Sequence, residues 1–267
     1  MISAGIDLGS GFSKALIYRD DGQVLARAIA KTKADFDTGA REVLDDALAQ
    51  AGLSQSDIAY VCTTGLGRYA VTFRDIQVTE ITAAARGAWT LFNQAQFVLD
   101  LGAQSTRAIR LRDNGKVKEF QTNEKCAAGG GAFLVRAAKY LEVPLDSLGK
   151  LSSDAKASQP ISSVCAVLAE TEIINHVSEN IPIGDIARGM HESMAERAMG
   201  LLKKVGLNGP LCLVGGVALQ SGFVEACRKK FGVELLIPQH SQYAAALGAA
   251  VLGMQRAKKR LADAAAS

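Results

Sequence analysis

Two aspartates, Asp7 and Asp100, each close an apolar run and open a short stretch that holds glycine. The first reads Asp7-Leu8-Gly9-Ser10-Gly11-Phe12-Ser13-Lys14, and the second Asp100-Leu101-Gly102-Ala103-Gln104-Ser105. Glycine lets a backbone come close to a phosphate and point its N–H groups at it. Ser10 and Ser13 add hydroxyl donors, and Lys14 adds positive charge or else faces solvent beside a hairpin. An aspartate at a strand end can hold Mg²⁺ through water, because Mg²⁺ keeps much of its hydration shell. Asp7 or Asp100 would then orient the metal or an attacking water, and two such loops could clamp a triphosphate. A third element, Leu213-Val214-Gly215-Gly216-Val217, is an apolar strand followed by a glycine pair and a helix. Glycines there permit an adenosine or its phosphate to approach a helix N-terminus. No Walker A pattern is present, and the Gly129-Gly130-Gly131 run has no clear strand before it, so it is not a dinucleotide fingerprint.

The chain has five cysteines. An odd number without a secretory signal points to reduced thiols rather than a disulfide framework. Cys126 and Cys165 each stand just before a predicted helix, where free N–H groups and the positive end of the helix dipole favour thiolate. Cys62, Cys212 and Cys227 fall inside apolar strand or helix patterns, as buried thiols do. A 4Fe–4S cluster ordinarily takes four cysteines. Two suitable ligands per chain leave three readings open: plain thiols, a zinc site, or half of a cluster shared between two chains. His176, His191 and His240 are scattered and carry no assigned role, while Glu170 and Glu172 read as exposed helix carboxylates.

The elements that must position these residues come as a repeat. Residues 6–16 return as 99–109, and the turn Asp20-Asp21-Gly22 returns as Asp113-Asn114-Gly115 at the same offset. Asp-Gly and Asn-Gly accept positive φ and make hairpins. Each copy therefore predicts strand, tight turn, strand, hairpin, strand and then a helix, at 38–51 and at 128–141. The fold class is α/β, with two similar domains: 1–94 carrying the first loop, and 95–267 carrying the second loop, the cysteines and the glycine pair. Further expectations are a strand at 58–63, helices at 80–92, 164–178 and 186–205, a loop at 152–163, a strand at 211–214, a helix ending at 231, and an alanine-rich closing helix at 243–261.

Bulk properties narrow the partners. The 267 residues are 48% hydrophobic and carry a net charge of only +3. That balance gives no case for nucleic acid or an anionic membrane as the main partner. The basic run 256–260 reads as a solvated helix end. No apolar run approaches the ~20 residues that span a bilayer, and the first residues lack the pattern of a signal peptide, so a cytoplasmic protein is expected.

The two Asp-x-Gly hairpins and the later glycine pair, in this order, resemble the superfamily of actin, heat-shock chaperones and sugar kinases. That resemblance implies two ribonuclease H-like domains with ATP in the cleft. Lys125-Cys126-Ala127-Ala128-Gly129 and Ser162-Ser163-Val164-Cys165-Ala166-Val167-Leu168-Ala169-Glu170-Thr171-Glu172 closely resemble the cluster-binding segments of the BadF/BadG/BcrA/BcrD ATPase family. Its members are activators of 2-hydroxyacyl-CoA dehydratases and ATPase subunits of benzoyl-CoA reductase. The resemblance implies that Cys126 and Cys165 ligate half of an intersubunit 4Fe–4S cluster. It also implies that nucleotide binding changes the angle between the helices that follow them, enabling low-potential electron transfer. The implied cofactors are ATP or ADP, Mg²⁺ and the cluster. The implied partners are a related ATPase subunit or a second copy of the chain, an acyl-CoA reductase or dehydratase component, and a ferredoxin-type electron donor. By the same resemblance Gly129, Gly131, Val217 and Gln242 join the nucleotide site, with Gln242 inside the closing segment 241–250.

The chain departs from the common pattern at the second loop, where activators read Asp-Ile-Gly-Gly-Gln-Asp. Gly130 and Ala132 also replace a Thr and an Arg of the common Ala-Gly-Thr-Gly-Arg-Phe stretch. These departures favour a benzoyl-CoA reductase ATPase subunit over a homodimeric dehydratase activator. Rival readings are a metabolite kinase of the same superfamily without a cluster, and an actin-like filament or chaperone-type module.

Overall fold

The computed structural model describes residues 1–123, 130–162 and 165–265. The chain forms two compact units. The first comprises Met1–Gln94, the short segment Asp113–Val117 and everything described from Tyr243 onward, and the second comprises Ala95–Arg112 and Lys118–Gln242. The C-terminal segment therefore does not belong with the second domain, as the expected division at 95–267 had it.

In the first unit, β1 (Ile2–Leu8), β2 (Phe12–Arg19) and β3 (Val24–Lys31) form an antiparallel meander. Strands β4 (Tyr60–Gly65) and β5 (Ile76–Gln77) add in parallel beside β1, giving the order β3-β2-β1-β4-β5. Alternation along the strands divides two apolar layers. Ala4, Ile6, Leu8, Ala15 and Ile17 pack with Val43, Leu44 and Ala47 of α1 (Phe36–Ala51). Leu16 faces the opposite way, toward Ala246, Leu247 and Ala250 of α8 (Ala244–Ala265). Helix α1 starts because the Asp35 side chain accepts from the N–H groups of Asp37 and Thr38, and it stops at Gly52, whose φ is 64°.

Helix α8 lies directly on β1. A Cβ at Gly5 would sit 2.0 Å from the Ala246 carbonyl oxygen, so only glycine permits this approach. On its other flank, α8 crosses α2 (Glu80–Leu91) through Gly248 and Gly87. The small residues that make 243–261 look like a generic alanine-rich helix are what let it seat against this sheet.

The second unit repeats the sheet. Strands β6 (Phe97–Leu101), β7 (Thr106–Leu111) and β8 (Val117–Asn123) match β1–β3, while β9 (Leu211–Val214) and β10 (Leu235–Leu236) match β4 and β5. The order β10-β9-β6-β7-β8 mirrors that of the first unit. Phe97, Leu99 and Leu101 pack beneath Phe133 and Leu134 of α3 (Gly131–Tyr140), Met190 and Met194 of α6 (Ile183–Lys204), and Phe223 of α7 (Ser221–Phe231). Each such fully buried side chain contributes about 1.5–3 kcal/mol. Between β8 and β9 the chain also forms α4 (Leu148–Asp154) and α5 (Ala166–Ser178).

The expected loop at 152–163 is thus partly wrong, because its first residues close α4. The helix preceding β9 begins at Ile183 rather than 186. The expected helix starts at 128 and 164 lie outside the described residues. Among the described residues, no helix is long and apolar enough to cross a membrane.

Candidate functional site

The two aspartate loops are built alike. In the first unit the register sets Asp7 directly opposite Lys14 across the β1–β2 hairpin, and Lys14 Nζ lies 2.9 Å from Asp7 Oδ2. In the second unit Asp100 faces Arg107 across β6–β7, with Arg107 Nη1 3.0 Å from Asp100 Oδ2. Both pairs are largely buried. Each hairpin closes through its first glycine: the Gly9 N–H donates to the Phe12 carbonyl at 3.2 Å, and the Gly102 N–H to the Ser105 carbonyl at 2.9 Å. This leaves the N–H groups of Ser10 and Gly11, and those of Ala103 and Gln104, with no acceptor among the described residues. Each unit thus sets two backbone N–H groups without a described acceptor beside a carboxylate, a donor arrangement that can receive an anion.

Lys14 is held by Asp7 rather than lying in solvent. Ser13 is buried and shares its hydroxyl with Thr32 Oγ1 at 3.1 Å, while Thr32 donates to the Gly9 carbonyl at 2.7 Å. Ser13 therefore stiffens the first loop instead of lining its mouth, which corrects its expected role as a donor. Ser10 is exposed, and Phe12 is an exposed aromatic at the turn.

Gly215 follows β9 with φ 89°, and a Cβ there would lie 2.2 Å from the Leu101 carbonyl. Its N–H donates to the Ser241 carbonyl at 2.9 Å. Gly216 has open space where a side chain would stand, and Val217 is buried. These residues open a 3-10 turn at Gly216–Leu219, and α7 begins only afterwards, so the glycine pair does not sit at the N-terminus of the long helix. The Oε1 of neighbouring Gln242 is buried without a hydrogen-bond partner among the described residues.

Two further candidates escape a reading of the sequence. Gly65 ends β4 as Gly215 follows β9, with φ 90° and a prospective Cβ 2.4 Å from the Leu8 carbonyl. Thr64, paired in register with Asp7, has a buried hydroxyl with no partner among the described residues. The signal is present as Thr64-Gly65 against Val214-Gly215. It is hidden because much more chain separates β6 from β9 than β1 from β4.

Residues 130–132 brace the second loop. The N–H groups of Gly131 and Ala132 donate to the carbonyls of Gly102 and Ala103, each at 2.9 Å. A Cβ at Gly130 would lie 2.4 Å from the Ala103 oxygen. Cys126 and Gly129 lie outside the described residues.

Cys165 is the N-cap of α5, and its thiol is half-exposed. Hydrogen bonds from the Leu168 and Val167 N–H groups, helped by the Arg197 charge, hold its pKa below that of an ordinary thiol. Burial pushes the Cys62 and Cys212 thiols up to about 12, and Cys227 is raised further in the same way. The helix after Cys165 is tied to α3 by Glu170, which accepts from Arg136 at 2.6 Å and from the Tyr140 hydroxyl at 3.3 Å. Glu172 accepts from the Ser162 N–H. Both carboxylates are thus structural ties rather than solvated helix charges. Val167, Leu168 and Ile174 project from α5 as exposed apolar side chains.

Residues 4–253 match the BadF/BadG/BcrA/BcrD ATPase family. The chain belongs to this family. It is 37% identical over 260 residues to the activator of lactoyl-CoA dehydratase from Anaerotignum propionicum, covering 97% of this chain and 100% of that one. It is 39% identical over 268 residues to a benzoyl-CoA reductase subunit from Thauera aromatica, covering 97% and 95%. The solved structure of the activator of 2-hydroxyisocaproyl-CoA dehydratase from Clostridium difficile, with bound ADPNP, superposes with a TM-score of 0.94 at 36% identity, covering 98% of each chain. The fold is accordingly the actin-like ATPase fold of this family. Relatives of the dehydratase and reductase kinds stand at nearly equal identity, so similarity does not favour the reductase subunit over the activator.

Proposed function

We propose that the chain is an ATP-dependent electron activator. In this reading its two aspartate loops bind the nucleotide phosphates, and it contributes Cys126 and Cys165 to a 4Fe–4S cluster shared with a second ATPase chain. The observation that carries the redox half is Cys165. It is the one described cysteine that is not buried, it sits on a helix N-terminus, and its pKa is lowered. The thiolate is the form that ligates iron, so the described residue fits the group. When bound, the cluster supplies a one-electron carrier of low potential.

The protein's own residues supply the rest. Ser10, Gly11, Ala103 and Gln104 present N–H groups to phosphate oxygens. Asp7 and Asp100 hold Mg²⁺ or the attacking water, with Lys14 and Arg107 fixing each carboxylate in place. Gly215, Gly216 and Val217 leave room for the nucleoside side of the ligand, and the unpartnered Gln242 oxygen and Thr64 hydroxyl are further contacts for it. The Glu170 bonds make α3 and α5 move as a pair. A nucleotide shifts such a pair only through differential affinity for two arrangements.

The electron donor is of ferredoxin type, the acceptor is an acyl-CoA dehydratase or reductase component, and the cytoplasm keeps the thiols reduced. A reductase-type heterodimer is favoured by the altered second loop, where Ala103 and Ser105 replace a glycine and an aspartate. Expression of the chain alone separates the two forms: a cluster-bearing homodimer indicates the activator form, and a cluster formed only with a sister subunit indicates the reductase form.

Anaerobic purification tests the function itself. Bound iron and acid-labile sulfide are expected, lost in Cys165→Ser while Mg-ATP affinity is retained. A colourless protein that phosphorylates a small alcohol would instead make the chain a kinase.

A further inference from the structure

The first unit holds a cavity of about 500 Å³ outside the phosphate loops, a size within the range of small-ligand pockets. Its apolar wall includes Ile76, Val78 and Leu252. Four cations converge on it from three separate segments: Arg86 of α2, Lys116 of the β7–β8 turn, and Arg256 and Lys259 of α8. Among the described residues, no carboxylate lines it and none of the four forms an ion pair. Arg86 is half-buried, lies over the Trp89 ring at 5.4 Å from its centroid, and has its charge disfavoured by burial. The turn can approach because residue 115 is glycine: its φ is 71°, and a Cβ would lie 2.3 Å from the Trp89 ring. The basic run 256–260 is therefore not simply a solvated helix end, since two of its members face this cavity.

We propose that this cavity binds a small organic anion, an apolar or aromatic body bearing a phosphate, sulfonate or similar group, separately from the nucleotide. An apolar wall takes the body of such a molecule, and unpaired cations at a partly desolvated rim take its charge. The site does not rest on the redox reading.

Trp89 is the chain's single tryptophan and packs against two residues of the cavity lining, Arg86 and Gly115, so its emission senses the site. The test is a titration of Trp89 emission with anilinonaphthalene sulfonate, in the presence of saturating Mg-ADP to occupy the phosphate loops. Saturable one-to-one quenching with energy transfer to the probe is expected. The triple variant Arg86→Gln, Arg256→Gln, Lys259→Gln should weaken it at least about tenfold, while the charge-conserving pair Arg256→Lys, Lys259→Arg retains it. Phenyl phosphate should displace the probe at lower concentration than inorganic phosphate or phenol. Quenching that is absent, that survives in a folded triple variant, or that inorganic phosphate or phenol reverses as readily as phenyl phosphate would overturn the proposal. Melting curves establish that the variants are folded, and loss of binding in the charge-conserving pair would also count against it.

Discussion

The two units carry the same sheet order and the same aspartate hairpin but differ in what surrounds it. In the first, Asp7 is paired with a lysine, the sheet is covered by α1 and α8, and its cysteine, Cys62, is buried. In the second, Asp100 is paired with an arginine, and the chain between β8 and β9 is expanded into helices α3 to α6, two of which follow the Cys126 and Cys165 segments. All three histidines also lie in the second unit. Under the proposed function, phosphate binding belongs to the duplicated frame and the thiol chemistry to the second unit alone, whose loop keeps the hydrogen-bond pattern of the first. The two partners differ in kind, a planar fork against a point charge, at nearly equal spacing of 3.0 and 2.9 Å.

That contrast can be broken experimentally. The largest effect is expected from Asp7→Asn and Asp100→Asn. Each should lower ATP hydrolysis on the order of 100-fold or more, if both carboxylates position metal or water. Steady-state phosphate release measures this, and a loss confined to one variant would show that only one loop is catalytic.

The next effect concerns acid. His191 is fully buried, has no hydrogen-bond partner at either ring nitrogen among the described residues, and its pKa is lowered by burial to about 4. Its folded pKa lies below its unfolded value, so the neutral ring favours folding above about pH 6.5. That contribution is lost as pH falls toward 4, by about 3 kcal/mol in all. Hydrogen exchange should show the second unit loosening first, and His191→Leu should flatten this part of the pH profile. Equal loosening of both units would remove the distinction.

The paired glycines give a smaller effect. Gly65→Ala and Gly215→Ala should each cost about 2 kcal/mol or more, because both combine positive φ with a backbone clash. Gly216→Ala should be nearly neutral in stability and weaken only nucleotide binding. Chemical denaturation and nucleotide titration separate these outcomes. The smallest effect is kinetic: Cys165 in cluster-free protein should alkylate with iodoacetamide faster than Cys62, Cys212 or Cys227, because its thiolate is favoured and accessible.

The duplicated hairpins are legible in the sequence because Asp-x-Gly turns and Asn-Gly hairpins are local signals. Their strands alternate or run apolar for the same reason that they are buried. The home of α8 is not legible, since Ala246, Ala250 and Gly248 make sense only against Gly5 and Gly87, far away in the chain. Thr64 and Gly65 stay hidden because unequal connections mask their counterpart. Glu170 reads as a surface carboxylate because its partner, Arg136, stands 34 residues away. Lys14 is ambiguous between solvent and phosphate, and only the register against Asp7 decides that it is tied down.

Native mass spectrometry of the anaerobically purified protein tests the shared-cluster claim most directly. A two-chain species carrying a single four-iron cluster, about two irons per chain, is expected, with the cluster lost on Cys165→Ser. A single chain retaining a whole cluster, or a dimer whose iron survives that substitution, would contradict it.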